Sequence, residues 1–215
     1  MTYAVKEIFF SLQGEGAQTG RPAVFCRFAG CNLWSGLEKD RAKAQCNFCD
    51  TDFVGTDGQN GGKFQTAQDL ADRIADFWPD GDAIADAYVV FTGGEPLLQL
   101  DEPLLTAIKQ HGFETAVETN GTLAAPDGID WICVSPKPNS QIVQTYGHEL
   151  KFVYPQLALS PEQFGELDFE HFYLQPMDVE DDTEMAHNIE ACISYCLQNP
   201  QWRLSLQSHK ILGLD

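Results

Sequence analysis

The chain has 215 residues, of which 43% are hydrophobic, and 32 acidic against 13 basic residues give a formal net charge of −19 at pH 7. This length and apolar content are typical of a globular domain with a sizeable core and exclude an intrinsically disordered chain. No apolar run reaches the ~18 residues that span a bilayer, and no block of Lys and Arg offers a surface for nucleic-acid phosphates.

The first predicted strand covers residues 4–12 and ends in the sequence Q-G-E-G at 13–16. Two glycines there either let the backbone approach a ligand or form a plain turn. A second strand is predicted over residues 23–29, with Arg27 inside it. An arginine within a strand either pairs with a structural Glu or grips a carboxylate ligand with its planar guanidinium.

Three of the seven cysteines follow this strand, as Cys31, Cys46 and Cys49, with fourteen residues between the first two and two between the last two. A C-x-x-C pair and a third thiolate can hold one metal centre. Structural zinc and [4Fe–4S] sites normally take four protein ligands, so three thiolates leave one corner for a ligand that is not protein. The alternatives are a redox C-x-x-C pair or ordinary buried thiols. The intervening loop, residues 32–45, is expected to include a short helix.

Asp50, Thr51 and Asp52 come directly after the third cysteine. Their oxygens could bind a hard cation, or these residues could form a turn that caps the next segment. Residues 55–63 are rich in glycine and are predicted to form a flexible loop without an assigned role.

From residue 66 the apolar pattern alternates between helical and strand periods. Helices are predicted to begin at Thr66, Asp101 and Thr183, the first stopping at 79–81. Strands are predicted over 87–91, 113–117, 129–134, 149–153, 171–174 and 202–207. Apolar stripes assigned to the core are Leu70, Ile74, Phe77 and Trp78 in the first helix, Leu104, Leu105 and Ile108 in the second, and Met185, Ile189, Cys192, Ile193 and Cys196 in the third.

This alternation predicts an α/β fold with a mostly parallel sheet, in a single domain over residues 1–215. With about six helix-associated strands, an incomplete β/α barrel is expected, with the loop at 32–45 as an insertion. Ligands bind at the carboxyl ends of such strands. We therefore expect Cys31 and four strand-end segments to lie together at one opening of the barrel, its mouth. These segments are T-G-G-E-P, E-T-N-G, S-P-K and Q-P-M-D, which begin at residues 92, 118, 135 and 175.

Three cysteines after one strand, followed by T-G-G-E-P after the next, resemble the pattern of the radical S-adenosylmethionine (SAM) enzymes. The chain departs from the usual C-x-x-x-C-x-x-C spacing, and this departure resembles the 7-carboxy-7-deazaguanine synthase family, in its branch with an enlarged cluster loop. Further motifs shared with that family cover nearly the whole chain in order: L-Q-G-E-G, R-F-A-G-C-N-L-W, C-D-T, T-G-G-E-P, E-T-N-G, V-S-P-K, Q-P-M-D and Q-x-H-K.

The resemblance implies a lyase that converts 6-carboxy-5,6,7,8-tetrahydropterin to 7-carboxy-7-deazaguanine by radical ring contraction, with loss of ammonia. It implies a [4Fe–4S] cluster, SAM acting as a true cofactor, and Mg²⁺. The product would feed queuosine or a related 7-deazapurine. A reducing partner such as flavodoxin or ferredoxin and a homodimer are also implied. An odd number of cysteines without a disulfide layout, and no signal-peptide pattern, place the expected enzyme in the cytoplasm.

The resemblance also assigns residues to roles. Cys31, Cys46 and Cys49 would hold the cluster, and Thr51 would bind Mg²⁺ or lie beside it. The pterin would contact Leu12, Gln13, Gly14, Glu15, Arg27, Thr92 and the terminal carboxylate of Asp215. SAM would contact Phe48, Cys49, Asp50, Gly93, Gly94, Glu95, Ser135, Pro136, Lys137, Gln175, Pro176, Met177 and Asp178. No side chain is assigned as catalytic, because the radical chemistry belongs to the cofactor.

Two rival functions use the same three cysteines. One is a different radical SAM enzyme, such as an activase for a glycyl-radical protein, although no segment here is typical of docking a large protein. The other is a zinc-stapled binding module that is not an enzyme. The zinc protein would be colourless, whereas the cluster protein would be brown when purified without oxygen, so elemental analysis separates them.

Overall fold

Nine strands form one continuous sheet in a computed structural model that describes residues 2–79, 86–156 and 158–214. The strands are β1 Tyr3–Leu12, β2 Pro22–Phe28, β3 Gly62–Phe64, β4 Tyr88–Gly93, β5 Glu114–Thr119, β6 Trp131–Val134, β7 Tyr146–Tyr154, β8 Asp168–Pro176 and β9 Trp202–Leu204. The α-helices are α1 Ala67–Ala75, α2 Glu102–Gln110, α3 Asp182–Gln198 and α4 Ser208–Leu212.

The strand order is β3-β1-β2-β4-β5-β6-β7-β8-β9, so within the described residues the sheet has two edges and does not close into a full barrel. β1 is antiparallel to β2 and to β3, while every later neighbouring pair is parallel. The predicted α/β class, the mostly parallel sheet and the incomplete barrel are therefore confirmed. Parallel order also brings the carboxyl ends of β4 to β9 to one side of the sheet.

One face of the sheet packs against α1, α2 and α3 to form the apolar core. Leu70 and Ile74 of α1, and Leu104 and Ile108 of α2, are fully buried in it. Both helices begin where the sequence predicts. Thr66 accepts a hydrogen bond from the Asp69 amide in a capping box, and the Asp101 carboxylate accepts from the Leu104 amide. Such caps satisfy backbone N–H groups at a helix start.

Several predicted boundaries differ from the structure. The predicted loop at 55–63 runs into β3, which pairs with β1, and its backbone bonds to β1 through Gly58 N to Lys6 O and Ile8 N to Gln59 O. β7 and β8 are longer than predicted because they pair with each other from Tyr146↔Asp168 to Tyr154↔Pro176. The last strand ends earlier, and α4, which the sequence did not predict, comes after it.

The helix ends also differ. α1 ends at Ala75, so Phe77 and Trp78 pack against the core from beyond its last turn. Asp80 and Gly81, predicted to stop that helix, lie outside the described residues. α3 is capped by Asp181 rather than opening at Thr183. Cys192 is buried as predicted, but Ile193 is 42% exposed because it lies one residue around the helix from the buried stripe.

None of the helices among the described residues combines the length and apolar character needed to cross a bilayer.

Candidate functional site

A cavity of about 380 Å³ opens at the carboxyl ends of the parallel strands. It gathers most of the residues that the sequence assigned to ligands: Leu12, Gln13, Gly14, Glu15, Arg27, Cys46, Phe48, Cys49, Asp50, Thr51, Thr92, Gly93, Gly94, Ser135, Lys137, Gln175, Pro176 and Asp178. Four assigned residues do not line it: Cys31, Glu95, Pro136 and Met177. Asp215 lies outside the described residues.

The three predicted cluster ligands are free thiols in one neighbourhood. Cys31 lies just beyond the end of β2, while Cys46 and Cys49 line the cavity. Burial raises the pKa of the Cys31 and Cys46 thiols, and the negative charge of Cys49 contributes to both shifts. Without a metal, burial and mutual repulsion disfavour the charged thiolate form of these side chains. Metal ligation requires that form, so a bound metal would offset this cost.

The described part of the chain holds no group of three or more His, Cys, Asp or Glu side chains that could bind a single metal ion. A [4Fe–4S] cluster presents separate iron corners, so its thiolates need not converge on one point. The donor chemistry and the open cavity beside Cys46 and Cys49 fit such a cluster with one corner left for another ligand.

The enlarged loop between Cys31 and Cys46 folds back onto the C-x-x-C turn. Residues Glu38–Lys43 form a 3₁₀ helix. From it, Arg41 donates through one terminal nitrogen to the carbonyl oxygens of Asn47 and Cys49, each at 3.0 Å. The Arg41 guanidinium also lies 4.2 Å from the centre of the Trp34 ring. The insertion therefore fixes the backbone that carries two of the three thiols.

The paired glycines at the end of β4, Gly93 within the strand and Gly94 just after it, let the strand end pack against the segment that carries Cys31. Gly93 has φ +134, and a Cβ placed on Gly94 would collide with the Gly30 carbonyl and the Cys31 Cβ. The Glu95 amide donates to the Gly30 carbonyl at 2.9 Å. Only a residue without a side chain allows this backbone approach.

We expect Gly94→Ala to lose cluster binding, because its methyl group would push the Cys31 segment away from the other two thiols. Overpacking of this kind typically costs about 1–3 kcal/mol of folding stability. Iron content after anaerobic reconstitution and the thermal midpoint measure the two effects. Gly62→Ala is the matched control, since its added Cβ meets nothing closer than 3.8 Å. Equal iron content in the two variants would contradict the prediction.

Glu95 is fully buried and ties the tips of β4 and β5 together. Its carboxylate accepts from Thr119 Oγ1 at 2.7 Å, the Asn120 amide at 2.8 Å and the Leu97 amide at 2.9 Å. Asn120 in turn donates from Nδ2 to Asn32 Oδ1 at 3.0 Å, next to Cys31. The family resemblance assigned Glu95 to SAM; in the structure its carboxylate accepts these internal hydrogen bonds, and the residue does not line the cavity.

Arg27 takes the first of the two roles that its position in β2 left open, and its geometry leaves room for the second. Its Nε donates to Glu7 Oε1 at 2.7 Å, which is a pairing with a neighbouring glutamate. Among the described residues this is the only hydrogen bond of the guanidinium, and Arg27 lines the cavity together with Glu7. Its terminal NH₂ groups therefore stay available for a carboxylate ligand.

Two carboxylates and a lysine form one wall of the cavity, and sequence reasoning assigned only Glu15 among them. Lys151 Nζ lies 2.8 Å from Glu15 Oε2 and 2.9 Å from Glu118 Oε2. Burial alone would lower the pKa of Lys151, but the surrounding acidic groups raise it well above its usual value. Glu118 is the first residue of the E-T-N-G tip, so the rule of strand ends could have identified it.

The short helix α4 lies across the cavity mouth. Lys210 Nζ forms ion pairs with Asp50 and Asp178, both at 2.6 Å. The Ser208 amide donates to the Gly14 carbonyl at 2.9 Å. Gln207, His209 and Lys210 also line the cavity. Sequence reasoning noted the terminal Q-x-H-K pattern but did not assign these residues to the site.

Thr51 lies in the sequence between Asp50 and Asp52, whose carboxylates both form ion pairs. Asp50 is paired with Lys210, and Asp52 is paired with Lys6 at 3.0 Å. Lys6 also donates to the Val54 carbonyl at 2.9 Å, which anchors the segment after Cys49 to β1. The Thr51 hydroxyl makes no hydrogen bond to another described residue, although Thr51 lines the cavity.

Comparison with known proteins gives close relatives over the full length. No family model matches the chain. It is 64% identical over 214 residues to the 7-carboxy-7-deazaguanine synthase of Bordetella pertussis, and 62% identical over 214 residues to that of Caulobacter vibrioides, with 100% of each chain covered. A solved structure, QueE from Escherichia coli, is 26% identical with a TM-score of 0.69, covering 97% of this chain and 95% of that one.

Proposed function

This chain belongs to the 7-carboxy-7-deazaguanine synthase family, and we propose that its cavity holds 6-carboxy-5,6,7,8-tetrahydropterin beside SAM. It is an enzyme of the radical SAM superfamily that uses SAM and a [4Fe–4S] cluster. The observation that carries the proposal is the meeting, in one cavity, of the two C-x-x-C thiols, the Arg27 guanidinium and the Glu15–Glu118 wall.

In the proposed site, Cys31, Cys46 and Cys49 hold the cluster. When bound, the cluster and SAM supply the radical that removes hydrogen from the substrate. The methionine end of SAM would lie against Gly93 and Gly94, which both line the cavity. Phe48, Ser135 and Lys137 form another part of the cavity lining, where Lys137 Nζ donates to Ser135 Oγ at 2.6 Å and lies 5.7 Å from the Phe48 ring centre.

The protein's own residues orient the pterin in this proposal. Arg27 holds the substrate carboxylate through its terminal NH₂ groups, because Glu7 already occupies Nε. Glu15 and Glu118 accept from the amino and ring N–H groups of the pterin, which carry donors along one edge. α4 limits the access of water to the mouth, and shielding of this kind protects reactive intermediates from side reactions.

The function is tested by anaerobic incubation with SAM, a reductant, Mg²⁺ and the carboxytetrahydropterin. Mass spectrometry should show a product that has lost the elements of ammonia, with SAM undiminished after many turnovers. Reactions without SAM are the control. If SAM is cleaved while the pterin is recovered intact, the chain acts on another substrate and the proposed reaction is wrong.

We also assign Mg²⁺ to the neighbourhood of Thr51, and expect Thr51→Ala to blunt the response of turnover to added Mg²⁺. The reason is that a hydroxyl oxygen with no protein partner is a natural ligand for a hard cation. Turnover is titrated with Mg²⁺ for wild type, Thr51→Ala and the control Thr106→Ala, which alters an exposed residue of α2. An unchanged Mg²⁺ response in Thr51→Ala would remove Thr51 from the cation site.

A reducing protein such as flavodoxin or ferredoxin, a homodimer and a cytoplasmic location complete the proposal. All seven cysteines are free, which suits a reducing compartment. The mass in solution, measured by light scattering, tests the dimer. Turnover with purified flavodoxin or ferredoxin in place of a chemical reductant tests the electron donor.

A further inference from the structure

Lys151 is a buried cation to which the family pattern assigns no role. It lies on β7, and its side chain is only 5% exposed. Its Nζ contacts Glu15 Oε2 and Glu118 Oε2, at 2.8 and 2.9 Å. These carboxylates come from segments that are distant in sequence, after β1 and in β5, and the lysine joins them in one wall of the cavity.

Each carboxylate contacts the lysine through its Oε2 atom and has a different partner at its Oε1 atom. Glu15 Oε1 accepts from Gln207 Nε2 at 3.1 Å, and Glu118 Oε1 from Gln13 Nε2 at 3.4 Å. These neutral contacts are longer than the two ion pairs. The Glu15 and Glu118 side chains are 18% and 22% exposed, and both line the cavity. Each Oε1 atom keeps a second lone pair, so a ligand donor could bind there without displacing the lysine.

Two carboxylates in one half-buried site repel each other, and without a cation one of them tends to hold a proton. The other charged or titratable groups around them do not replace Lys151. Glu149 lies two residues before Lys151 on the same face of β7, where burial raises its pKa to about 7, and Cys133 and Tyr88 are buried neighbours. On the side of α4, His209 is near Glu15, while Lys210 is occupied by Asp50 and Asp178.

We propose that Lys151 is a positioning residue that offsets the charges of Glu15 and Glu118 and holds them as a pair of acceptors for the N–H edge of a 2-amino-4-oxopyrimidine ring. A protonated carboxyl would place a donor against that edge and lose a hydrogen bond. Lys151 thereby contributes to selectivity for rings with this donor edge. The inference rests on the proposed function, since the pterin is the ring that presents it.

The test measures binding of 6-carboxypterin to the SAM-loaded holoenzyme, without oxygen, between pH 6 and pH 9. We expect the affinity of wild type to depend less on pH than that of Lys151→Met, since its lysine offsets both carboxylates while the neighbouring Glu149 titrates in this range. Lys151→Met should weaken pterin binding by about tenfold or more near pH 6, and the loss should shrink as pH rises and the second carboxyl ionises. Lys151→Arg should keep most of the affinity and the pH profile of wild type. SAM binding should stay unchanged in both variants.

Lys109→Met is the control, since Lys109 pairs with Asp130 away from the cavity. Lys151→Gln replaces the Met variant if the latter does not fold, because an amide can still bond to both carboxylates. A pH-independent loss, or equal losses of SAM and pterin affinity, would make Lys151 purely structural and overturn the inference. If wild type binds pterin and forms product while Lys151→Met matches it, only this inference fails. If wild type binds no pterin, the proposed function fails instead.

Discussion

Cys46→Ala is expected to bind almost no iron–sulfur cluster and to show no ring-contraction activity. Cys46 is buried beside the cavity, and only Cys31 and Cys49 would remain as ligands. Neither Cys133 nor Cys192 could substitute for it, because both belong to the buried interior, in β6 and α3. Iron and sulfide content, visible absorption and product formation are measured after the same anaerobic reconstitution as for wild type.

Cys192→Ala is the matched control for that result. It removes a buried thiol from the apolar core and should cost about 1 kcal/mol of stability, a usual value for a small core truncation, while its iron content stays at the wild-type level. Retention of iron by Cys46→Ala would contradict the cluster assignment. Zinc in place of iron in the wild-type protein would favour the zinc-stapled binding module.

Arg27→Ala is expected to raise the substrate dissociation constant by roughly 30- to 150-fold. This range corresponds to about 2–3 kcal/mol for lost hydrogen bonds between a charged donor and a carboxylate. SAM binding should stay near the wild-type value, because Glu7 keeps access to water at the cavity and is not left buried without a partner. Arg27→Lys should recover only part of the affinity, since an ammonium lacks the planar two-pronged geometry.

Binding of SAM and of 6-carboxypterin is measured separately in each Arg27 variant, so that the two losses can be compared. Arg21→Ala serves as the control: Arg21 is also half-buried and paired, with Glu114, and lies 3.8 Å from the Tyr88 ring centre rather than on the cavity. Equal loss of SAM and pterin binding in Arg27→Ala would mean that Arg27 supports the fold and not the substrate.

The fold class and the position of the cavity at the carboxyl ends of the strands could be predicted from the sequence, because both depend on local patterns. Helix caps at Thr66 and Asp101, and strands that end in glycine or polar residues, are readable within a few positions. β3 was not predicted, since three residues pairing at an edge leave no periodic pattern. α4 was not predicted either, because its contacts with Gly14, Asp50 and Asp178 come from distant parts of the chain.

The candidate site shows the same division between local and distant information. The thiols and the glycine pair are recognisable by their spacing. The commitment of Glu95 to the β5 tip, and the meeting of Lys151 with Glu15 and Glu118, depend on which strands become neighbours. A single sequence indicates the strand ends but not the partner of each side chain at them.

The anchoring of the cluster loop has a practical consequence. Arg41 ties the 32–45 loop to the C-x-x-C turn, and Lys6 ties the segment after Cys49 to β1, both by polar contacts to backbone carbonyls, whereas the sheet is held by a large apolar core. A segment held mainly by polar contacts has a lower local stability than a sheet held by an apolar core, so it opens first. Amide hydrogen exchange in protein exposed to air should therefore quicken around residues 38–54 while β4 and β5 remain protected. Oxidative damage would then be repairable by restoring iron and sulfide, without refolding the chain.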